Sequence, residues 1–199
     1  MADDKQGRDD QARGADDRQR RRAVLEELER MDEVEPPVEA DALDDVEAGI
    51  RSLEYPVTAA AVVEAVGDRE VESTDGTYTV AELVPRTDEE TYDSPDEVRA
   101  RVLRPTVAAS MKRITEASRS LPRRDRFGSQ REAYEKTLRA LKSIDADDDD
   151  EGVESVTDWI VERIEEKGKL PSSRDVRRRA AKFCRSNGYE VRNDQWLGV

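Results

Sequence analysis

The amino-acid sequence predicts a mainly α-helical protein with one small β-hairpin, an α+β arrangement of helical modules joined by acidic linkers and preceded by a disordered N-terminal tail. Three observations carry this reading. Apolar residues recur at three- and four-residue spacing in several separate stretches, bounded by capping residues, glycines or prolines. One Asp75-Gly76 dipeptide lies between two segments of alternating polarity, the pattern of a hairpin. With 41% charged and 35% hydrophobic residues over 199 positions, the chain can fill one modest core or two small ones.

Residues 1–22 mix both charge signs densely, and alanine is their largest apolar side chain after Met1. Such a segment buries too little surface to offset its ordering entropy, so it is expected to be disordered. Val24, Leu28 and Met31 then share one face of a short amphipathic helix over 20–31, where Arg22–Glu26 and Glu26–Arg30 form i, i+4 pairs. Pro36-Pro37 sets the 1–36 region apart as a short stiff linker would.

The next region, 38–144, reads as a helical core with the hairpin at 69–80. Leu43, Val46, Ile50 and Leu53 follow Asp41 at helical spacing. Pro56 fixes an extended entry to a second helix, which Thr58 caps, Val62, Val63 and Val66 make apolar, and Gly67 closes in the left-handed conformation. The hairpin pairs 69–74 with 77–80 around Asp75-Gly76, with Val71, Tyr78 and Val80 on its apolar positions. Helix, turn, helix, hairpin is the order of a winged-helix unit. Residues 85–93 read as an acidic loop, and Ser94-Pro95-Asp96-Glu97 as a helix start with a capping serine and proline at its first position. Pro105 restarts that helix, and Val107, Met111, Ile114 and Leu121 give 106–121 a core-facing stripe. Residues 122–128 form an exposed basic loop, after which Ser129 and Glu132 make a capping box for a helix bearing Tyr134, Leu138 and Leu141.

The run DADDDDE at 145–151 is read as a solvated linker, because a block of like charge repels itself and four consecutive aspartates cannot converge on one cation. Beyond it, 152–199 forms a C-terminal helical hairpin. Val153, Val156, Ile160 and Ile164 place a helix over 153–167 that Gly168 stops. Ser172 and Asp175 cap a second helix through Ser186, with Val176, Ala180 and Phe183 on its apolar face, and Asn187-Gly188 ends it. Trp196 and Leu197 fold back as an aromatic clasp, and the turn is compatible with a helix-turn-helix.

Charge defines the compartment. The chain carries 48 acidic residues, 27 arginines and only 7 lysines, for a formal charge of -14. Abundant carboxylates with few lysines and few large aromatics suit a protein kept soluble in concentrated salt, so a halophilic cytoplasm is expected. No stretch has the ~18 apolar residues of a membrane span, and no apolar signal-peptide core opens the chain. No membrane partner follows. The single Cys184 lies on an apolar helix face and reads as a buried structural thiol.

Function is narrowed mainly by exclusion. The sequence has no histidine, which removes the commonest general acid or base and the usual zinc ligand, and its isolated glycines build no phosphate-binding loop. No enzyme activity, catalytic residue, cofactor or metal site is expected. The one cluster that invites a binding role is basic: Arg174, Arg177, Arg178, Arg179, Lys182 and Arg185 on the last helix of an acidic protein. Arginines gathered on one helix are the electrostatic footprint of nucleic-acid contact, or of docking on an acidic partner surface, including the acidic half of the same chain. Counterion-driven phosphate binding falls by orders of magnitude as salt rises, which favours the protein partner in a salty cytoplasm. The second helix of the winged-helix-like unit, AAAVVEAV, has no basic residue, so its apolar surface is read as protein-binding rather than DNA-reading. The expected function is a non-enzymatic protein-interaction or adaptor role, with nucleic-acid association through the basic helix as the alternative.

The opening MADDKQGRDDQAR, the segment YPVTAAAVVEAVGDREVE and the ending SSRDVRRRAAKFCRSNGYEVRNDQWLGV resemble a family of small haloarchaeal proteins of unknown function. Tyr55-Pro56-Val57-Thr58, Gly67-Asp68-Arg69-Glu70 and Trp196-Leu197-Gly198 carry the resemblance most distinctively. It implies lineage and compartment, and transfers no site residues. Partner identity, oligomeric state and biological process stay open at this level.

Overall fold

The computed structural model describes residues 38, 43–73, 76–121, 127–144 and 150–189. The expectations for the 1–36 tail and its short helix, the Asp75 turn position, the basic loop at 122–126, the aspartates at 145–149 and the return of Trp196 and Leu197 lie outside them. Within the described residues the chain is mostly helical, with two small antiparallel strand pairs.

Helix α1 (Asp44–Arg51) buries Val46 and Ile50 behind Leu43, the positions its periodicity predicts. The Tyr55 hydroxyl donates to the Ile50 carbonyl at 2.9 Å and ties the following turn to the helix. Strand β1 (Val57–Thr58) leads into α2 (Ala59–Val66), where the Thr58 hydroxyl accepts from the Ala61 N–H at 3.2 Å as the expected cap. α1 and α2 approach closely: a Cβ on Gly49 would collide with Val66 Cγ1. Gly67 closes α2, but at φ -57° and ψ -33° rather than in the left-handed region. The chain keeps turning there because the Arg69 N–H donates to the Val66 carbonyl and the Gly67 carbonyl accepts from Ala81, which swings the hairpin back over α2.

That hairpin, β2 (Glu70–Ser73) with β3 (Gly76–Thr79), sets Val71 opposite Tyr78 and Ser73 opposite Gly76. Gly76 therefore belongs to a strand rather than to the turn, and Val80 leaves the sheet. The reason is a cap absent from the sequence reading. The Thr79 N–H and hydroxyl both donate to the Glu82 carboxylate, at 2.7 and 2.9 Å, and commit Val80 to the short helix α3 (Val80–Leu83).

Residues 85–93 are more than an acidic loop. Thr91 and Tyr92 form β4 and pair antiparallel with β1, Val57 opposite Tyr92. The Glu90 and Thr87 carbonyls accept from the first N–H groups of α2, Ala59 at 2.8 Å and Ala60 at 3.0 Å. Helix α4 (Pro95–Val102) starts where the Ser-Pro pair predicts, although the Ser94 side chain makes no cap bond; the Glu97 carboxylate instead accepts from the Asp93 N–H at 3.0 Å. Pro105 opens α5 (Pro105–Ser118). Helix α6 (Phe127–Lys142) begins two residues before Ser129, which lies in its first turn and not at its cap. Gly128 lowers helix propensity there without forbidding the extra residues. Helices α7 (Glu151–Lys167) and α8 (Ser173–Asn187) follow, ended by Gly168 and Gly188 at φ 58° and 74°.

Two apolar cores result, and α5 serves both. Ala108 packs into a cluster of α1, α2, α3, α4 and the strands, while Val107, Met111 and Ile114 enter a second cluster with α6, α7 and α8. The α7–α8 pair is thus not a module behind a linker. Val153, Val156, Ile160 and Ile164 are fully buried against Met111, Ile114, Tyr134, Leu138 and Leu141, because one helical hairpin leaves an apolar face that only further helices can cover. The end of the acidic run is anchored too. The Asp150 carboxylate accepts from Lys142 Nζ at 2.7 Å and from the Thr106 hydroxyl at 3.2 Å. No helix among the described residues is long and apolar enough to cross a membrane.

The α1–α2 contact gives a test. Replacing Gly49 by valine should lower stability by about 1–3 kcal/mol through overpacking against Val66, despite the better helix propensity of valine. Urea unfolding at constant KCl measures this, and a Gly49→Val midpoint equal to wild type would show that the two helices can move apart at no cost.

Candidate functional site

Helix α8 is set by its cap. The Ser172 hydroxyl donates to the Asp175 carboxylate at 2.7 Å and accepts from the Asp175 N–H at 3.2 Å, as the Ser-x-x-Asp spacing predicts. The Ser172 hydroxyl bond is the main cause of a lowered Asp175 pKa. Val176, Ala180, Ala181 and Cys184 point into the core, which places the thiol inside as expected.

The six predicted basic residues divide into four and two. Arg174, Arg178, Lys182 and Arg185 are exposed and, at steps of four, four and three residues, form one stripe along the outside of α8. Among the described residues none of these four has a carboxylate at ion-pair distance. Arg177 and Arg179 are half-buried instead, and Arg179 donates to the Ser155 hydroxyl of α7 at 3.3 Å. Arg179 thus ties the helix to α7, and with both half-buried the open basic surface is smaller than the sequence suggests.

The neighbouring surface of α7 escaped the sequence reading. Glu151, Glu154, Asp158 and Glu162 are all exposed and form an acidic stripe; Asp158 also meets Arg113 of α5 at 2.6 Å. The acidic stripe lines an open groove of about 460 Å³ that also includes Ser155 and Trp159 of α7 and Arg179 and Phe183 of α8. Trp159 and Phe183 are half-buried, so each leaves part of its ring in the groove. The Arg163 guanidinium stands 5.3 Å from the Trp159 ring centroid, and Phe183 packs on Tyr189 with ring centroids 5.9 Å apart. The i, i+3, i+7, i+11 spacing of the acids was the signal available in the sequence; it was hidden by the general abundance of carboxylates.

The apolar face of α2 is not available to a partner. Ala59, Val62, Val63 and Val66 are buried in the first core, leaving Glu64 and Ala65 exposed, so the protein-binding role expected for that surface is withdrawn.

A second cluster was also invisible in the sequence. Glu90, in the stretch read as a loop, is buried; its carboxylate accepts from the Tyr92 hydroxyl at 2.8 Å, from Arg101 of α4 at 2.9 Å and from Arg131 of α6. Glu135 approaches the other side of Arg101 at 3.9 Å. Burial works to lower the Arg101 pKa, but Glu90, Tyr92 and Glu135 outweigh it and the net shift is upward. Burial first, and then the Glu90 charge, push the Tyr92 hydroxyl well above the ordinary tyrosine value. This cluster joins the segment before β4 to α4 and α6 and reads as structural. The lowered carboxylates, Asp175 and Glu82, owe their shifts mainly to cap bonds.

Residues 37–113 match a family of unknown function, DUF5789. The match spans α1 through most of α5, which is the first core, and stops before the α7–α8 face. No curated protein and no solved structure matches the chain significantly.

Two outcomes are expected at the Glu90 cluster. Glu90→Gln removes the charge opposite buried Arg101 and should cost about 3–5 kcal/mol, read as a shift in the denaturant midpoint at neutral pH. An effect below about 1 kcal/mol would mean that water compensates Arg101. Because the folded state raises the Tyr92 pKa, the stability it contributes is complete below the unfolded value of 10.0 and is lost as pH rises above it. Tyr92→Phe should therefore be less stable at neutral pH by about 1 kcal/mol for the lost hydrogen bond, yet show a shallower fall in stability between pH 10 and 12.

Proposed function

We propose that this chain is a non-enzymatic interaction protein of a halophilic archaeal cytoplasm, and that it docks a protein partner on the outer side of α7 and α8. The observation that carries this reading is the groove along the acidic stripe of α7, in which Trp159 and Phe183 keep part of their rings accessible. Large aromatics with flanking charge are the usual anchors of protein interfaces. The compartment is argued from 48 acidic residues against 7 lysines, and the archaeal lineage from the resemblance of the chain's opening, its YPVT segment and its ending to small haloarchaeal proteins. In molar salt the screening length is about 3 Å, so charges act only in contact and apolar anchors set the affinity.

A second reading is favoured by one observation. Arg174, Arg178, Lys182 and Arg185 are exposed and none has a carboxylate at ion-pair distance among the described residues, the arrangement that phosphate contact would use. It is placed second because phosphate binding weakens steeply with salt.

A photo-crosslinking residue at Phe183, at Arg178 or, as control, at exposed Glu70 of β2 separates the two in extracts kept at molar KCl. The expected result is a protein adduct of defined mass from position 183 and none from position 70. Nucleic-acid adducts from 178 without protein adducts from 183 would put the second reading first, and no adduct at either position would remove the interaction role from this face.

A further inference from the structure

We infer that the outer face of α7 and α8 is a two-fold docking surface whose occupant is a second copy of this chain. The inference rests on the interaction reading above and supplies the chemistry of the partner. Its ground is a match between two rows of exposed side chains. On α7, Glu151, Glu154, Asp158 and Glu162 advance by three, four and four residues. On α8, Arg174, Arg178, Lys182 and Arg185 advance by four, four and three. Both rows span the same number of residues, about 16 Å at the helical rise of ~1.5 Å.

Read in opposite directions, the two step patterns coincide. An α7 laid antiparallel along α8 of the second copy sets Glu151 opposite Arg185, Glu154 opposite Lys182, Asp158 opposite Arg178 and Glu162 opposite Arg174. Within one chain the rows do not neutralise each other: they lie on the outward sides of their helices, and no ion pair joins them among the described residues. The hairpin itself is antiparallel, since Ser155 near the start of α7 meets Arg179 in the second turn of α8, and Asp175 near the start of α8 senses Arg163 late in α7. A two-fold axis running along the hairpin therefore brings each acidic row onto the other copy's basic row, so the match is made twice. Such self-complementarity is the requirement of a closed isologous dimer. Trp159 and Phe183 lie in the groove that the acidic row lines and supply the apolar seam.

Salt distinguishes this surface from general electrostatic attraction. Two chains of formal charge -14 repel at long range, which opposes association in dilute buffer. At molar salt that repulsion is screened beyond about 3 Å, whereas contact pairs and buried aromatic surface persist. Self-association should therefore strengthen as KCl rises, the reverse of what phosphate binding would do.

Light scattering of the full-length chain across a wide concentration range in molar KCl, with two charge reversals, tests the surface. R174E/K182E makes the basic row acidic, and E154R/E162R makes the acidic row basic. Wild type is expected as a dimer. Each variant alone should associate at least about tenfold more weakly, because like charges then face each other. An equimolar mixture of the two should recover the wild-type dimer, since each native row of one variant meets its native complement on the other and the reversed rows also face as opposites. Circular dichroism verifies that the variants keep their helices. A wild type that stays monomeric at every concentration overturns the inference whatever the variants do, as does a dimer that neither reversal weakens or a mixture that fails to recover. A monomeric wild type together with an adduct to a different protein at position 183 would sink the two-fold surface and leave the interaction reading standing. Loss of both would sink the two together.

Discussion

One buried carboxylate holds the two halves of this molecule in register. Glu90 comes from the segment that closes the first core, yet its side chain takes hydrogen bonds from Arg101 of α4 and Arg131 of α6, and its backbone carbonyl takes the first N–H of α2. A charge withdrawn from water survives only where its partners are already in place, so the geometry of three separate elements is specified at one point. Replacing such a cluster with apolar groups can be neutral for stability in other proteins, and its main effect here is on geometry: it fixes where α6, and with it the second core, stands relative to α4.

The α5 helix completes that connection. Its Ala108 side belongs to the first core and its Val107, Met111 and Ile114 side to the second. Lys112 reinforces the join by donating to the Ala81 carbonyl at 2.7 Å, and Arg119 does so by donating to the carbonyl of Arg86. With both faces of α5 occupied, α6, α7 and α8 have one side left on which to pack, and the outer sides of α7 and α8 are consequently turned to solvent. The surface available for recognition is thus a consequence of how the interior is filled. The DUF5789 match covers Glu90, Arg101, Lys112 and most of α5, and the charged stripes lie on the part beyond it.

Much of the fold was legible because it follows from short-range rules. Thr58, Ser172 with Asp175, Pro95 and Pro105 mark helix starts, and each starts a helix. Buried Tyr134, Leu138, Val153, Ile160 and Val176 all fall on predicted apolar faces. Where the reading failed, a partner distant in sequence had intervened. Gly76 lies in a strand rather than in the turn its sequence suggests, and the Thr79–Glu82 cap takes Val80 out of that strand. In residues 85–93 nothing local announces that Tyr92 will pair with Val57. Of the six arginines and lysines singled out on α8, four lie outside. Arg177 and Arg179 are half-buried, and for Arg179 the difference is set by its contact with Ser155 of α7 and not by residue type.

The sequence by itself determined the number and phase of the main helices, the hairpin's existence, the capped start of α8 and the concentration of positive charge on that helix, because periodicity, capping and composition act over a few residues. Only the tertiary structure decided that the acidic run at 145–151 joins helices of one shared core, that Glu90 is buried among arginines, and that the acidic row of α7 lines a groove with Arg179 and Phe183 of α8. Those outcomes depend on which apolar faces meet, and a face carries no address for its partner in its own sequence.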